Sequence, residues 1–207
     1  MGALRKVLIC IIAVCGLGWL QPCTASAISF GQATTARVLE RGVQDFGGFL
    51  GVFNSGLLLF GQARRGLTSG VEGGLQLGLH DPDGKKTDVG LVIGGDLKFG
   101  VLASGPRDPI DLAIGVRAAI YGNDNDRRFQ IGGSVMASHP VLLSSGAVIA
   151  PYGNINLRID GDDNGHSSLE IGAGGGVKWD VSDLLDVFGE IIIDDDFGVI
   201  FGLNFKI

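Results

Sequence analysis

From residue 71 to the end of the chain, apolar side chains return at every second position. Between 71 and 79, Val71, Gly73, Leu75, Leu77 and Leu79 fall on one side, and Glu72, Gly74, Gln76 and Gly78 on the other. Between 88 and 101, Val89, Leu91, Ile93, Gly95, Leu97, Phe99 and Val101 alternate with Asp88, Gly90, Val92, Gly94, Asp96, Lys98 and Gly100. The pattern recurs at 110–121, 129–138, 147–159 and 169–179, more briefly at 187–193, and again at 197–207. A period of two held over a dozen residues describes the two faces of a strand, whereas a helix repeats at about 3.6.

Composition closes off the alternatives. The 36 glycines disfavour a helical bundle, because each one inside a helix costs about 1 kcal/mol relative to alanine. A collagen-like chain needs a strict Gly-X-Y period and abundant proline, and there are only 6 prolines. A mean hydropathy of +0.34 excludes a disordered chain.

The stretch 46–65 can be read two ways. Phe46 to Ala63 carries no charge, as a membrane helix would, but it holds Gly47, Gly48, Gly51, Gly56 and Gly61. Asn54-Ser55-Gly56 at its centre is a turn signal, so the stretch predicts a hairpin. That makes ten strands, with eight or twelve as neighbouring solutions. About 18 residues are available per strand and connection, enough for the roughly 9–11 residues of a membrane-crossing strand.

Residues 1–27 have the form of a cleaved signal peptide. Arg5 and Lys6 precede an apolar run from Val7 to about Leu20, and Ala25-Ser26-Ala27 supplies small residues for cleavage. A retained anchor would need a longer run, and a lipoprotein based on Cys23 would not have Pro22 before it. Cys10, Cys15 and Cys23 all leave with this segment, which rules out a disulfide scaffold and a thiol nucleophile. Losing two bases from a formal charge of −6 leaves −8, a poor balance for binding nucleic acid. Residues 28–41 form an N-terminal lead-in, either a periplasmic segment or part of the first strand. Residues 42–207 form the sheet.

The connections come in two alternating kinds. Those at 80–88, 122–128, 160–167 and 194–196 are acidic, and those at 66–70, 103–109, 139–146 and 180–186 are less so. In an up-and-down meander the two kinds fall at opposite ends. Alternation alone does not say which face is wet. A secreted soluble β-sandwich would turn the apolar face inward, and a membrane barrel would turn it to lipid. The apolar faces are nearly free of charge for full membrane height, and a closed meander pairs every backbone group. The expected fold is all-β, a closed antiparallel up-and-down transmembrane barrel.

The signal peptide and the terminal run Phe197-Gly198-Val199-Ile200-Phe201-Gly202-Leu203-Asn204-Phe205-Lys206-Ile207 resemble those of small bacterial outer-membrane β-barrel proteins of the porin-like class. Gly66-Leu67-Thr68 before the strand from Val71, and Gly95-Asp96-Leu97-Lys98, are similar to segments of that class. The resemblance implies an outer-membrane location, contact with outer-membrane lipid and lipopolysaccharide, and recognition of the last strand by the barrel-assembly machinery. Strands of that class usually end in an aromatic residue; this one ends in Ile207, with Phe205 two positions earlier. The class also implies that the acidic connections face outward, where divalent cations bridge phosphates and carboxylates.

The alternation assigns the lumen. Glu72, Asp88, Asp96, Asp111, Glu170 and Glu190 point inward with Lys98, Arg117, Arg158, Lys178 and Lys206. Near-balance of sign points to charge pairing, since an unpaired buried ion costs several kcal/mol. The inward glycines either leave a thin water column or make room for Arg117, Arg158, Tyr121 and Tyr152. The expected role is structural or that of a narrow pore. The alternatives are a surface-exposed binding or adhesion protein using its acidic loops, and an outer-rim hydrolase or lipid-modifying enzyme built on His80 and Asp81 or on His166, Asp162 and Ser167. The run from Asp160 to Ile171 has the oxygen spacing of a calcium loop, but Glu170 stands one position early and no helices flank the run. A solvated acidic turn is expected there. No cofactor and no enzymatic activity are expected.

Overall fold

The computed structural model describes residues 33–81, 89–105, 108–123 and 127–207. Eleven strands follow one another: β1 (Gln44–Phe53), β2 (Gly56–Thr68), β3 (Val71–Asp81), β4 (Gly90–Leu102), β5 (Asp111–Gly122), β6 (Arg127–Ser138), β7 (Val141–Leu142), β8 (Val148–Asp162), β9 (Ser167–Asp180), β10 (Leu185–Ile193) and β11 (Phe197–Lys206). Ten of them form a closed antiparallel meander. β7 is a two-residue strand that pairs only with the start of β8, and β6 pairs directly with β8. β1 closes the sheet against β11, in register from Asp45↔Lys206 to Phe53↔Gly198. The ten-stranded expectation holds, and a sandwich of two separate sheets does not.

The uncharged stretch 46–65 is the β1–β2 hairpin. It turns at Asn54 and Ser55 into Gly56, whose φ of +133° is open to glycine and strained for other residues. The turn is tied to the far end of the chain: Asn54 N donates to Phe197 O (3.1 Å) and Ser55 N to Asp196 Oδ2 (2.9 Å).

Burial is inverted relative to a soluble protein. Leu75 is 69% exposed and Ile171 71%, while Arg158 and Lys98 are each 1% exposed. A folded chain leaves a continuous apolar exterior bare only when lipid covers it. Among the described residues no helix is long and apolar enough to cross a membrane.

The lead-in takes a course that the alternation could not show. Ala33, Thr34, Thr35 and Ala36 are buried inside the barrel, and the chain reaches the wall at Gly42, whose N–H donates to Gly66 O (2.9 Å). Residues 33–36 therefore lie within the lumen, and none of residues 33–41 belongs to β1. Gly66 is required where it passes: a Cβ there would meet Glu40 O and lie 2.7 Å from Leu39 O. Residues 1–32, with the signal peptide, lie outside the described residues.

Leu77 sits mid-strand on the outer face. Leu77→Arg should destabilise the folded barrel by about 2–4 kcal/mol, read from urea titrations of protein folded into lipid vesicles.

Candidate functional site

The lumen is packed in layers. At the end where β1 begins and β11 finishes, Asp186 Oδ1 accepts from Lys206 Nζ (2.9 Å), and Asp186 Oδ2 lies 3.2 Å from Lys178 Nζ. Lys178 also reaches Asp180 (3.0 Å). Asp111 accepts from Ser104 N (2.6 Å) and Ser138 Oγ (3.5 Å).

The next layer holds the lead-in. Lys98 Nζ donates to Thr34 Oγ1, Thr35 O and Arg37 O, each at 2.9 Å, and pairs with Glu72 Oε2 at 3.0 Å. Glu72 Oε2 accepts from Leu39 N (2.8 Å), and Glu72 Oε1 from Arg64 Nε (2.5 Å). Arg64 forks onto both oxygens of Asp96, at 3.0 and 2.6 Å. The fixed guanidinium fork makes this a bidentate clamp.

Above it the lumen is apolar. Phe49 stacks on Phe60 with ring centroids 4.9 Å apart and meets Phe188 edge-on at 6.0 Å; Tyr152 meets Phe188 at 6.4 Å. Phe53, Leu58, Val92, Ile192, Ile200 and Ala33 complete the cluster. Glu190 is set into its edge, where it accepts from Ala33 N (3.0 Å), Tyr152 OH (3.1 Å) and Asn154 Nδ2 (3.4 Å). Gln62 Nε2 donates to Ala33 O (3.2 Å).

The acidic end is organised by Arg158. Its guanidinium donates to Asp160 (2.8 Å), Asp194 and Asp195 (3.2 Å). Glu170 stands opposite Arg158 in register, and Arg117 lies between Asp96 and Gly132. His80 is buried here, its ring edge-on to Tyr121 at 5.8 Å.

The inward glycines provide space for these side chains. A Cβ on Gly132 would lie 2.7 Å from Arg158 Cβ, one on Gly176 2.9 Å from the Tyr152 ring, and one on Gly78 2.8 Å from Phe60 Cβ. A side-chain-free position on one strand receives the large side chain of its neighbour.

Of the residues assigned from the alternation, Glu72, Lys98, Asp111, Arg158 and Glu190 are buried in the lumen. Asp96, Arg117, Glu170, Lys178 and Lys206 are half-buried on its wall. Asp88 lies outside the described residues. Asp45, Gln62, Arg64, Asp186 and Asn204 were not foreseen, nor was the aromatic layer. Two acidic connections also differ from solvated loops, because Asp160 and Asp194 turn inward to Arg158. The turn beyond them is self-contained: Asp162 Oδ1 accepts from Asn164 N and His166 N, both at 2.9 Å, and His166 Nδ1 lies 3.1 Å from Asp162 Oδ2. Among the described residues no three acidic, histidine or cysteine side chains converge to hold a metal ion.

A ten-stranded closed barrel with a lipid-facing apolar belt and a polar-and-aromatic interior defines an outer-membrane-type β-barrel protein. The chain is similar in fold to the β domain of the Bordetella autotransporter Brka, with a TM-score of 0.56 and 10% identity over 81% of this chain and 100% of that one. It is also similar to the N-terminal β-barrel domain of Pseudomonas aeruginosa OprF (TM-score 0.42, 11% identity, 82% of this chain and 100% of that one). The KdgM porin is a third (TM-score 0.43, 7% identity, 78% and 98%). No protein-family model matches the chain, and no curated protein does.

Asp195 lies in the β10–β11 connection. Burial, and then the Glu170 carboxyl beside it, push its carboxyl up to about 6. The folded state therefore holds this proton longer than the unfolded chain. The stability that the proton confers is complete below about pH 4 and lost as the pH rises through about 6. Asp195→Asn should flatten the pH dependence of unfolding between pH 4 and 6, measured by denaturant titration across that window.

Proposed function

We propose that this protein is a structural outer-membrane barrel, closed at rest by its own lumen, which forms a narrow pore only when residues 33–41 leave it. The observation that carries this reading is the layer of Phe49, Phe60, Phe188 and Tyr152 packed on Ala33. It places aromatic rings and a chain segment across the middle of the lumen. Ten strands enclose slightly more space than the roughly eight whose interior side chains alone just fill, and the lead-in takes up that surplus.

The reading includes no catalytic step. His80 packs on Tyr121 inside the lumen and His166 is bound into its own exposed turn, so each has separate neighbours. The barrel-assembly machinery would read β11, whose outward face presents Phe197, Val199, Phe201, Leu203 and Phe205. The acidic end would meet the lipopolysaccharide layer through bridging divalent cations.

Planar-bilayer recording tests the proposal. Folded wild-type protein should show no sustained conductance, and a variant lacking residues 33–40 should show discrete openings. Steady wild-type conductance, or silence in a folded deletion variant, contradicts it.

A further inference from the structure

At the end of the lumen where β1 begins and β11 finishes, a cavity of about 330 Å³ lies between the lead-in and the wall. One side is apolar, formed by Phe188, Ala150 and Val148. The other side is charged, and its charges do not balance. Asp45 stands opposite Lys206 on one neighbouring strand and Arg64 on the other. Both cations are committed elsewhere: Lys206 to Asp186 at 2.9 Å, and Arg64 to Glu72 and Asp96. Lys178 is shared by Asp180 and Asp186. Five carboxylates (Glu40, Asp45, Glu72, Asp111 and Asp180) line the cavity against Arg37, Lys178 and Lys206. Glu72, Asp111 and Asp180 have partners of their own, which leaves Asp45 as the buried carboxylate without one.

Asp45 is only 6% exposed, and its Oδ1 has no hydrogen-bond partner. Asn204 Oδ1, buried on the same wall, also lacks a donor. A buried carboxylate and a buried amide oxygen without donors are costly unless something supplies N–H groups and positive charge. The volume corresponds to roughly ten water-sized spaces at about 30 Å³ each, too few for a folded peptide and enough for a cation of a few carbons.

We propose that this cavity binds a small organic cation, an alkylammonium whose head pairs with Asp45 and Asn204 and whose short apolar stem lies along Phe188 and Ala150. The charge selects against anions, and the apolar wall selects against bare inorganic cations.

Propylammonium is the probe, titrated into ¹⁵N-labelled full-length barrel in micelles at constant ionic strength held with sodium chloride. The amide resonances of Gly47 and Asn204 should shift saturably with propylammonium, and not with 1-propanol, propionate or further sodium chloride. Asp45→Asn, checked for folding by its heat-dependent electrophoretic shift, should weaken binding at least about tenfold. No saturable shift in the wild type overturns the proposal, as do equal shifts with 1-propanol or binding unchanged in Asp45→Asn. The closed-lumen reading is tested separately by conductance and survives any of these results.

Discussion

The fold depends on one constraint: a strand in lipid has no water to satisfy its N–H and C=O groups. Once Leu75, Leu77 and Ile171 face outward, no sheet edge can remain open, and the first strand has to find the last. The β1–β11 pairing satisfies this over nine residue pairs. It also brings Asp45 beside Lys206 and Ser55 beside Asp196, so closure assembles both ends of the lumen.

Closure creates an interior about one strand pair wider than wall side chains alone fill. The chain solves this with two devices. Glycine on one strand faces an arginine or aromatic ring on the next, as Gly132 faces Arg158 and Gly176 faces Tyr152. The lead-in then fills the remainder through its backbone, which Lys98, Glu72, Glu190 and Gln62 bind directly. A buried ion is tolerated only with compensation, and these side chains meet it in networks: Glu72 touches Arg64, Lys98 and Leu39 N together.

The sequence was informative where one face was clearly apolar and the other clearly not. From β3 onward the alternation shows eight strands of the barrel and which residues share a face, because a period of two fixes the parity; the turn signal at Asn54-Ser55-Gly56 supplies the other two strands. The alternation was silent in β1 and β2, where Phe49 and Leu58 face inward while Phe46 and Leu57 face outward. Two apolar faces cancel the signal, although Asp45 and Arg64 mark the parity. The links from Arg158 to Asp194 and from Glu190 to Ala33 join residues distant along the chain, and no local pattern encodes them. Ala33-Thr34-Thr35-Ala36 has neither charge nor clear period, so its place in the lumen was invisible.

Everything about the interior turns on whether residues 33–41 occupy it. Ala36 and Ala113 share a small buried cluster with Met136, one on the lead-in and one on β5. The most direct measurement is disulfide formation in Ala36→Cys/Ala113→Cys protein, folded in lipid and free of the cysteines in residues 1–27. The account predicts a crosslink that forms only in the folded barrel. Two thiols that stay free and react readily with a water-soluble maleimide would contradict it.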